Sequence, residues 1–198
     1  MGDCRLSVTP TARRKRRVAL PTSSLTVVLL GLVCAPITSG QRSFRTEDLE
    51  AAMLERITSF IQWPGQARTD KRDFVVTILG AAAIAPRLTY LYERRRPQGL
   101  SPRVRHISSR SEIGETHVLF IGAEFATELE AILALLAGRA TLTVGNTPGF
   151  AKRGVAVNLI RDNDRMRFEV NRKALEHAGL RASYQLLNLA KLVTGGSE

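Results

Sequence analysis

The run DFVVTIL, from Asp73 to Leu79, is β-branched or apolar at nearly every position. Side chains alternate between the two faces of a strand, so a strand with this composition needs cover on both sides. HVLFI (His117–Ile121) and ATLTV (Ala140–Val144) are further strands, closed by Gly122 and followed by Gly145. A shorter strand is expected at Val104–Ser108. Helical spacing fills the intervals. Ile84–Arg95 tolerates Pro86 in its first turn and turns Leu88, Leu91 and Tyr92 inward. Ala126–Leu136 is rich in Leu and Ala and stops at Gly138.

The flanks extend the pattern. Thr46 caps a helix running to about Gln62, with Leu49, Ala52, Met53, Ile57, Phe60 and Ile61 as its apolar stripe, and Pro64 ends it. Val155–Ile160 and Met166–Val170 alternate in polarity around the turn residues Arg161-Asp162-Asn163-Asp164-Arg165. Asn171 caps a short helix that ends at Gly179. A last helix is expected over Ala182–Val193, with Tyr184, Leu186, Leu187, Leu189, Ala190 and Val193 as its apolar residues. The tail Thr194–Glu198 frays. The fold class is therefore α/β: a single domain with a mostly parallel central sheet, helices on both faces and a C-terminal antiparallel hairpin at one edge.

The front of the chain is of another kind. Arg5, Arg13, Arg14, Lys15, Arg16 and Arg17 precede an apolar stretch from Leu25 to Val33 that is too short to span a bilayer comfortably. Small residues follow at Thr38-Ser39-Gly40. This is the order of a secretory signal peptide, with cleavage expected after Gly40, so residues 1–40 are a leader and 41–198 the mature domain. Arg16-Arg17 also leaves a twin-arginine route open. Both cysteines, Cys4 and Cys34, fall in the leader, and the mature part has no disulfide, thiol nucleophile or cysteine metal site. Beyond position 40, 23 basic and 17 acidic residues leave a net charge of +6. Export argues against a nucleic-acid partner. The scattered charge suits a solvated surface near an anionic membrane.

Chemistry is sparse. LTVGNTPGFAKRG (Leu142–Gly154) has the glycines and cations of a phosphate loop but not its order: Lys152 is followed by Arg153 where Ser or Thr is needed, and a strand comes next. Lys152 and Arg153 leave a bound phosphate as one reading. The other is that Pro148-Gly149 make a turn and Phe150 packs onto the sheet. His106, His117 and His177 lack metal spacing. Glu124, Glu128 and Glu130 cluster near a helix start, where the helix dipole favours them. No nucleophile has a base beside it. The residues point to a binder without catalytic function, cofactor or metal.

Three stretches carry a resemblance: Phe60-Ile61-Gln62-Trp63-Pro64, HVLFIGAEF from His117, and the long segment from Leu142 to Val193 with its GFA loop, FEVN and AGL. Together with the leader, they resemble the YfiR-like family of periplasmic proteins. The resemblance implies a compact, non-enzymatic α/β domain, often a homodimer. It also implies a repressor of an inner-membrane diguanylate cyclase, bound at that enzyme's outer-facing domain, whose release raises cyclic di-GMP and favours biofilm. The cysteine pairs of some members have no counterpart here. Trp63, Phe150 and Glu169 are the candidate partner contacts. Alternation puts Phe168 and Glu169 on opposite faces of their strand, so one of the two is expected to face out. A periplasmic small-ligand sensor is the alternative, its crevice formed by Gly80, Gly122, Gly145 and Asn146 at the carboxyl ends of the strands.

Overall fold

The structure is a computed structural model that describes residues 46–65, 73–163 and 165–195. These lie within one compact unit, Arg42–Glu198. The expected leader and residues 196–198 of the tail lie outside the described residues.

The chain begins with α1 (Thr46–Ser59) and a two-residue strand β1 (Ile61–Gln62). Then come β2 (Phe74–Leu79), α2 (Ile84–Tyr92), β3 (Pro102–Ile107), β4 (Val118–Ile121), α3 (Leu129–Leu135) and β5 (Leu142–Gly145). The hairpin β6 (Val157–Asp162) and β7 (Arg165–Asn171) follows, then α4 (Arg172–His177), β8 (Arg181–Ala182), α5 (Tyr184–Leu189) and β9 (Lys191–Val193). Seven strands form the central sheet in the order β3-β2-β4-β5-β6-β7-β9. All neighbours are parallel except β6 and β7. The sheet is the mostly parallel one expected from the apolar runs. The hairpin sits toward one end, with the short β9 laid beyond it. β1 and β8 pair antiparallel as a separate ribbon.

Both faces of the sheet are buried. Phe74, Val76 and Ile78 of β2, Val118 and Phe120 of β4, and Val144 of β5 share one core with Leu54 and Ile57 of α1 and Ile84, Leu88 and Tyr92 of α2. Leu79, Leu119 and Ile121 point the other way and pack with Leu129 and Ile132 of α3. Tyr92 reaches α1, its hydroxyl 3.2 Å from Thr58 Oγ1, and burial pushes its phenol well above the ordinary range. Arg87 pairs with Asp48, and Arg95 with Glu55 at 3.2 Å, so α1 and α2 are tied at both ends.

Three expectations are corrected. The buried face of α1 is Glu50, Ala51, Leu54, Glu55, Ile57 and Thr58, while Leu49 and Ala52 are exposed. Two glutamates, each with a polar partner, occupy the inward stripe and disguise it. Ile61 and Gln62 leave the helix to pair with Ala182 and Arg181. The last helix ends at Leu189, and Lys191–Val193 pair in parallel with Glu169–Asn171. Asn171 does cap α4, its side chain accepting from the Ala174 N–H, and its Nδ2 donates to the Ala151 carbonyl at 2.8 Å. In the hairpin, Asp162 pairs with Arg165, and Asn163 adopts φ +54°, the left-handed value that a tight turn demands.

His117 is a structural histidine. Its Nδ1 accepts the Val75 N–H at 3.0 Å, and its ring stacks on Phe74 at 5.0 Å between centroids. Burial lowers its pKa below the ordinary value, opposed by nearby Glu115. The unfolded chain takes up this proton near the usual pH of about 6.5 while the folded one resists it. The stabilising difference is therefore present above that pH and lost as pH falls through the folded pKa. Urea midpoints are expected to fall on acidification across this window, and less steeply in His117→Asn, whose Oδ1 can still accept from Val75. Equal slopes for the two proteins would refute this. Phe120→Ala removes a fully buried ring from the centre of the larger core and is expected to cost about 3–5 kcal/mol in the same assay.

Candidate functional site

At the carboxyl ends of the parallel strands, β3 and β4 lie on opposite sides of β2. Connections leave β2 and β4 over different faces, which makes their junction the switch point where open α/β sheets form crevices. Gly80 ends β2 and Gly122 ends β4, so two of the four expected crevice residues meet here. The space beside them is filled by Glu124. Its Oε1 accepts the Ala81 N–H at 2.7 Å. A Cβ on Gly80 would lie 2.2 Å from Glu124 Oε1, and one on Gly122 would lie 2.4 Å from Oε2. Only glycine leaves room for this carboxylate at either position.

Gly145 and Asn146 stand apart from that pair, at the end of β5. A Cβ on Gly145 would come within 2.6 Å of the Phe150 ring. Asn146 donates from Nδ2 to Glu50 Oε1 at 3.1 Å, joining the β5 end to α1. Burial raises the Glu50 pKa, partly offset by this hydrogen bond.

The three expected partner contacts are all buried. Trp63 is 6% exposed and meets Phe74 edge to face at 5.3 Å. Phe150 is fully buried, packed with Leu119, Ile121 and Val155 in the α3-side core, so the turn at Pro148-Gly149 folds it back onto the sheet. Glu169 is 7% exposed and Phe168 9%, so neither faces out. The sheet is covered on both sides here too, and alternation only decides which cover each side chain meets. Glu169 accepts from Lys191 Nζ on β9 at 3.2 Å and lies 3.4 Å from Asn158 Nδ2. Its carboxylate anchors the strand beyond it.

The two cations of the 142–154 segment line one groove but differ in their partners. Arg153 binds Glu130 Oε1 at 2.8 Å and the Ala126 carbonyl at 2.7 Å, which holds Glu130 below the usual carboxylate range. That groove, of about 1040 Å³, is also lined by Arg139, Lys173, Leu133, Leu136 and Ala174. Among the described residues no cluster of three or more His, Cys, Asp or Glu is placed to hold a metal ion.

The feature missed in the sequence is at the C-terminal edge. Tyr184 is 78% exposed, Leu189 76% and Leu192 53%. Leu49, Tyr90 and Leu135 are the other exposed large hydrophobics among the described residues, and they lie on three separate helices. Tyr184 stands two residues before the buried Leu186, on the opposite side of a helical turn, so its exposure was legible. The exposure of Leu192 was not, because it depends on β9 being a strand.

No protein of curated function matches the sequence. Among solved structures, the ABC domain from Streptococcus pneumonia in complex with L-Trp is similar at TM-score 0.50 and 8% identity. A conserved domain protein from Vibrio cholerae O1 biovar eltor str. N16961 is similar at TM-score 0.51 and 11% identity. In each case 75% of this chain is covered, and the chain spans 60% of the other's length. At such identities the likeness is one of fold. No helix of the described residues is long and apolar enough to cross a membrane. The family model described as YfiR/HmsC-like matches residues 47–191, and the chain belongs to that family of periplasmic regulators.

Proposed function

We propose that this chain is exported by a cleaved leader of residues 1–40 and represses an inner-membrane diguanylate cyclase by binding its outer-facing domain. Repression lowers cyclic di-GMP and, with it, biofilm formation. The observation that carries the docking role is the exposure of Tyr184, Leu189 and Leu192 on α5 and β9, the last strand of the sheet. Large apolar side chains on a sheet edge are costly to leave bare, since the edge also offers unpaired backbone groups. Aromatic and aliphatic anchors of this kind dominate protein interfaces.

Trp63, Phe150 and Glu169 serve this face from within. Glu169 holds Lys191, and with it β9. Trp63 follows β1, whose partner β8 leads into α5. Phe150 fixes the end of β5 beneath Gly145. The chain acts as a homodimer, without cofactor or nucleic acid.

A second reading, a small-ligand sensor at Gly80, Gly122, Gly145 and Asn146, has the switch-point crevice in its favour. The Streptococcus pneumonia domain with this fold was crystallised with L-Trp. Melting of the wild-type protein against amino acids and nucleotides separates the readings, because a sensor is stabilised by its ligand.

Deletion of the gene is expected to raise cellular cyclic di-GMP, and the wild-type copy to restore it. A Leu189→Asp/Leu192→Asp copy, confirmed as folded and exported, is expected to fail to restore it and to bind the cyclase's outer domain at least ~10-fold more weakly. Full restoration by that variant would sink the docking face. Unchanged cyclic di-GMP on deletion would sink the repressor. Mass spectrometry of the exported protein is expected to show Gln41 as its first residue; an intact Met1 in the exported fraction would refute the leader.

A further inference from the structure

Glu124 stands where open α/β sheets place an anionic ligand. It comes from the turn after β4, yet its carboxylate lies against the end of β2, 43 residues earlier in the chain. Three features converge on it. Gly80 has φ +70°, and both Gly80 and Gly122 lack the Cβ that would displace the carboxylate oxygens. Ala81 also takes a positive φ, +42°, which a residue with a Cβ rarely adopts. The Gly80 and Gly122 N–H groups donate to the Ile107 and Leu79 carbonyls, so the Ala81 N–H is the backbone donor turned toward the recess. Here the Ala81 N–H is aimed at Glu124 Oε1 at 2.7 Å. The strain at Ala81 and the two glycines are thus matched to a carboxylate, and Glu124 is otherwise an exposed residue. An exposed side chain held in its recess by one hydrogen bond can leave that recess.

We propose that Gly80, Ala81 and Gly122 form a carboxylate-binding site at the switch point, occupied in the resting chain by its own Glu124. A small monocarboxylate, or the carboxylate end of a larger ligand, gains the site by replacing that head group. The inference deepens the sensing reading and uses its crevice, but it is independent of the docking face on α5 and β9. It narrows the four expected crevice residues to two, because Gly145 is closed by Phe150 and Asn146 is engaged with Glu50.

The test is Glu124→Ala in the full chain, titrated with sodium acetate and sodium formate against sodium chloride at the same ionic strength. The variant is expected to melt about 3 °C below wild type, the loss of one charge-assisted hydrogen bond at a partly exposed position. Acetate or formate is expected to recover most of that loss saturably and to shift the Ala81 amide proton. Chloride is not, and wild type, whose own Glu124 competes for the site, is expected to respond to acetate and formate in the same sense but only at higher concentration. A variant that melts lower but answers carboxylates no more than chloride would overturn the proposal and leave Glu124 a structural tie. If Glu124→Ala does not fold, Glu124→Gln serves. It keeps an acceptor of the same reach without charge, so formate is expected to compete and move the Gly80 and Ala81 amides saturably; immobile amides would again overturn it. Melting of wild type with free amino acids reads sensing separately. A flat response there, with a rescued variant, rejects the sensor and keeps the site.

Discussion

Leu119 and Phe120 are adjacent in the chain, fully buried, and belong to different cores. That arrangement depends on β4 being covered on both faces, and most of the architecture follows from it. A parallel sheet cannot be closed by tight hairpins, so each return crosses over a face and covers it. α2 returns on one side and α3 on the other, and the reversal between them makes the switch point. The same burial accounts for His117, whose imidazole is held as a neutral acceptor between the ends of β2 and β4. Even the candidate contacts Trp63, Phe150 and Glu169 were drawn inward by it.

Much of the fold was legible because the central strands are apolar without interruption. Nothing else that short can bury both faces, and β2, β4 and β5 fall within two residues of where the runs place them. What failed was decided by distant partners. The stripe of α1 was misread because Glu50 and Glu55 sit on its inward face, acceptable only through Asn146 and Arg95 elsewhere in the chain. Ile61 fits a helical stripe, yet its backbone pairs with Ala182 more than a hundred residues away. Lys191-Leu192-Val193 would extend α5 by spacing alone. Pairing with Glu169, Val170 and Asn171 makes them a strand, a tertiary override of local preference.

The crevice was half legible. Glycines that end strands mark places where backbone must approach something closely. The sequence does not say what approaches. At Gly80 and Gly122 it is a carboxylate from the next turn, and at Gly145 it is an aromatic ring from the following loop. The two fillers differ in a way that bears on function. Phe150 is fully buried and would have to abandon its packing to open its site, at a cost typical of a core aromatic. Glu124 gives up one hydrogen bond and regains water. The switch point is therefore the cheaper of the two to open.

The edge beyond the hairpin follows from the same accounting of polar groups. Glu169 is buried, and a buried carboxylate without partners is strongly unfavourable. Asn158 offers it an amide at 3.4 Å, a long contact, and Lys191 supplies the positive charge. That charge is on β9, so the need to neutralise Glu169 favours docking of β9 on β7. Docking in that register fixes Leu192, one residue on, against Val170 of β7 in the ladder while leaving its side chain half in water. A surface lysine pair alone would contribute little, but one partner here is nearly fully buried, where screening by water is weak. The exposed apolar edge is thus a consequence of a buried charge, and a substitution at Glu169 would act on that edge without touching whatever binds there.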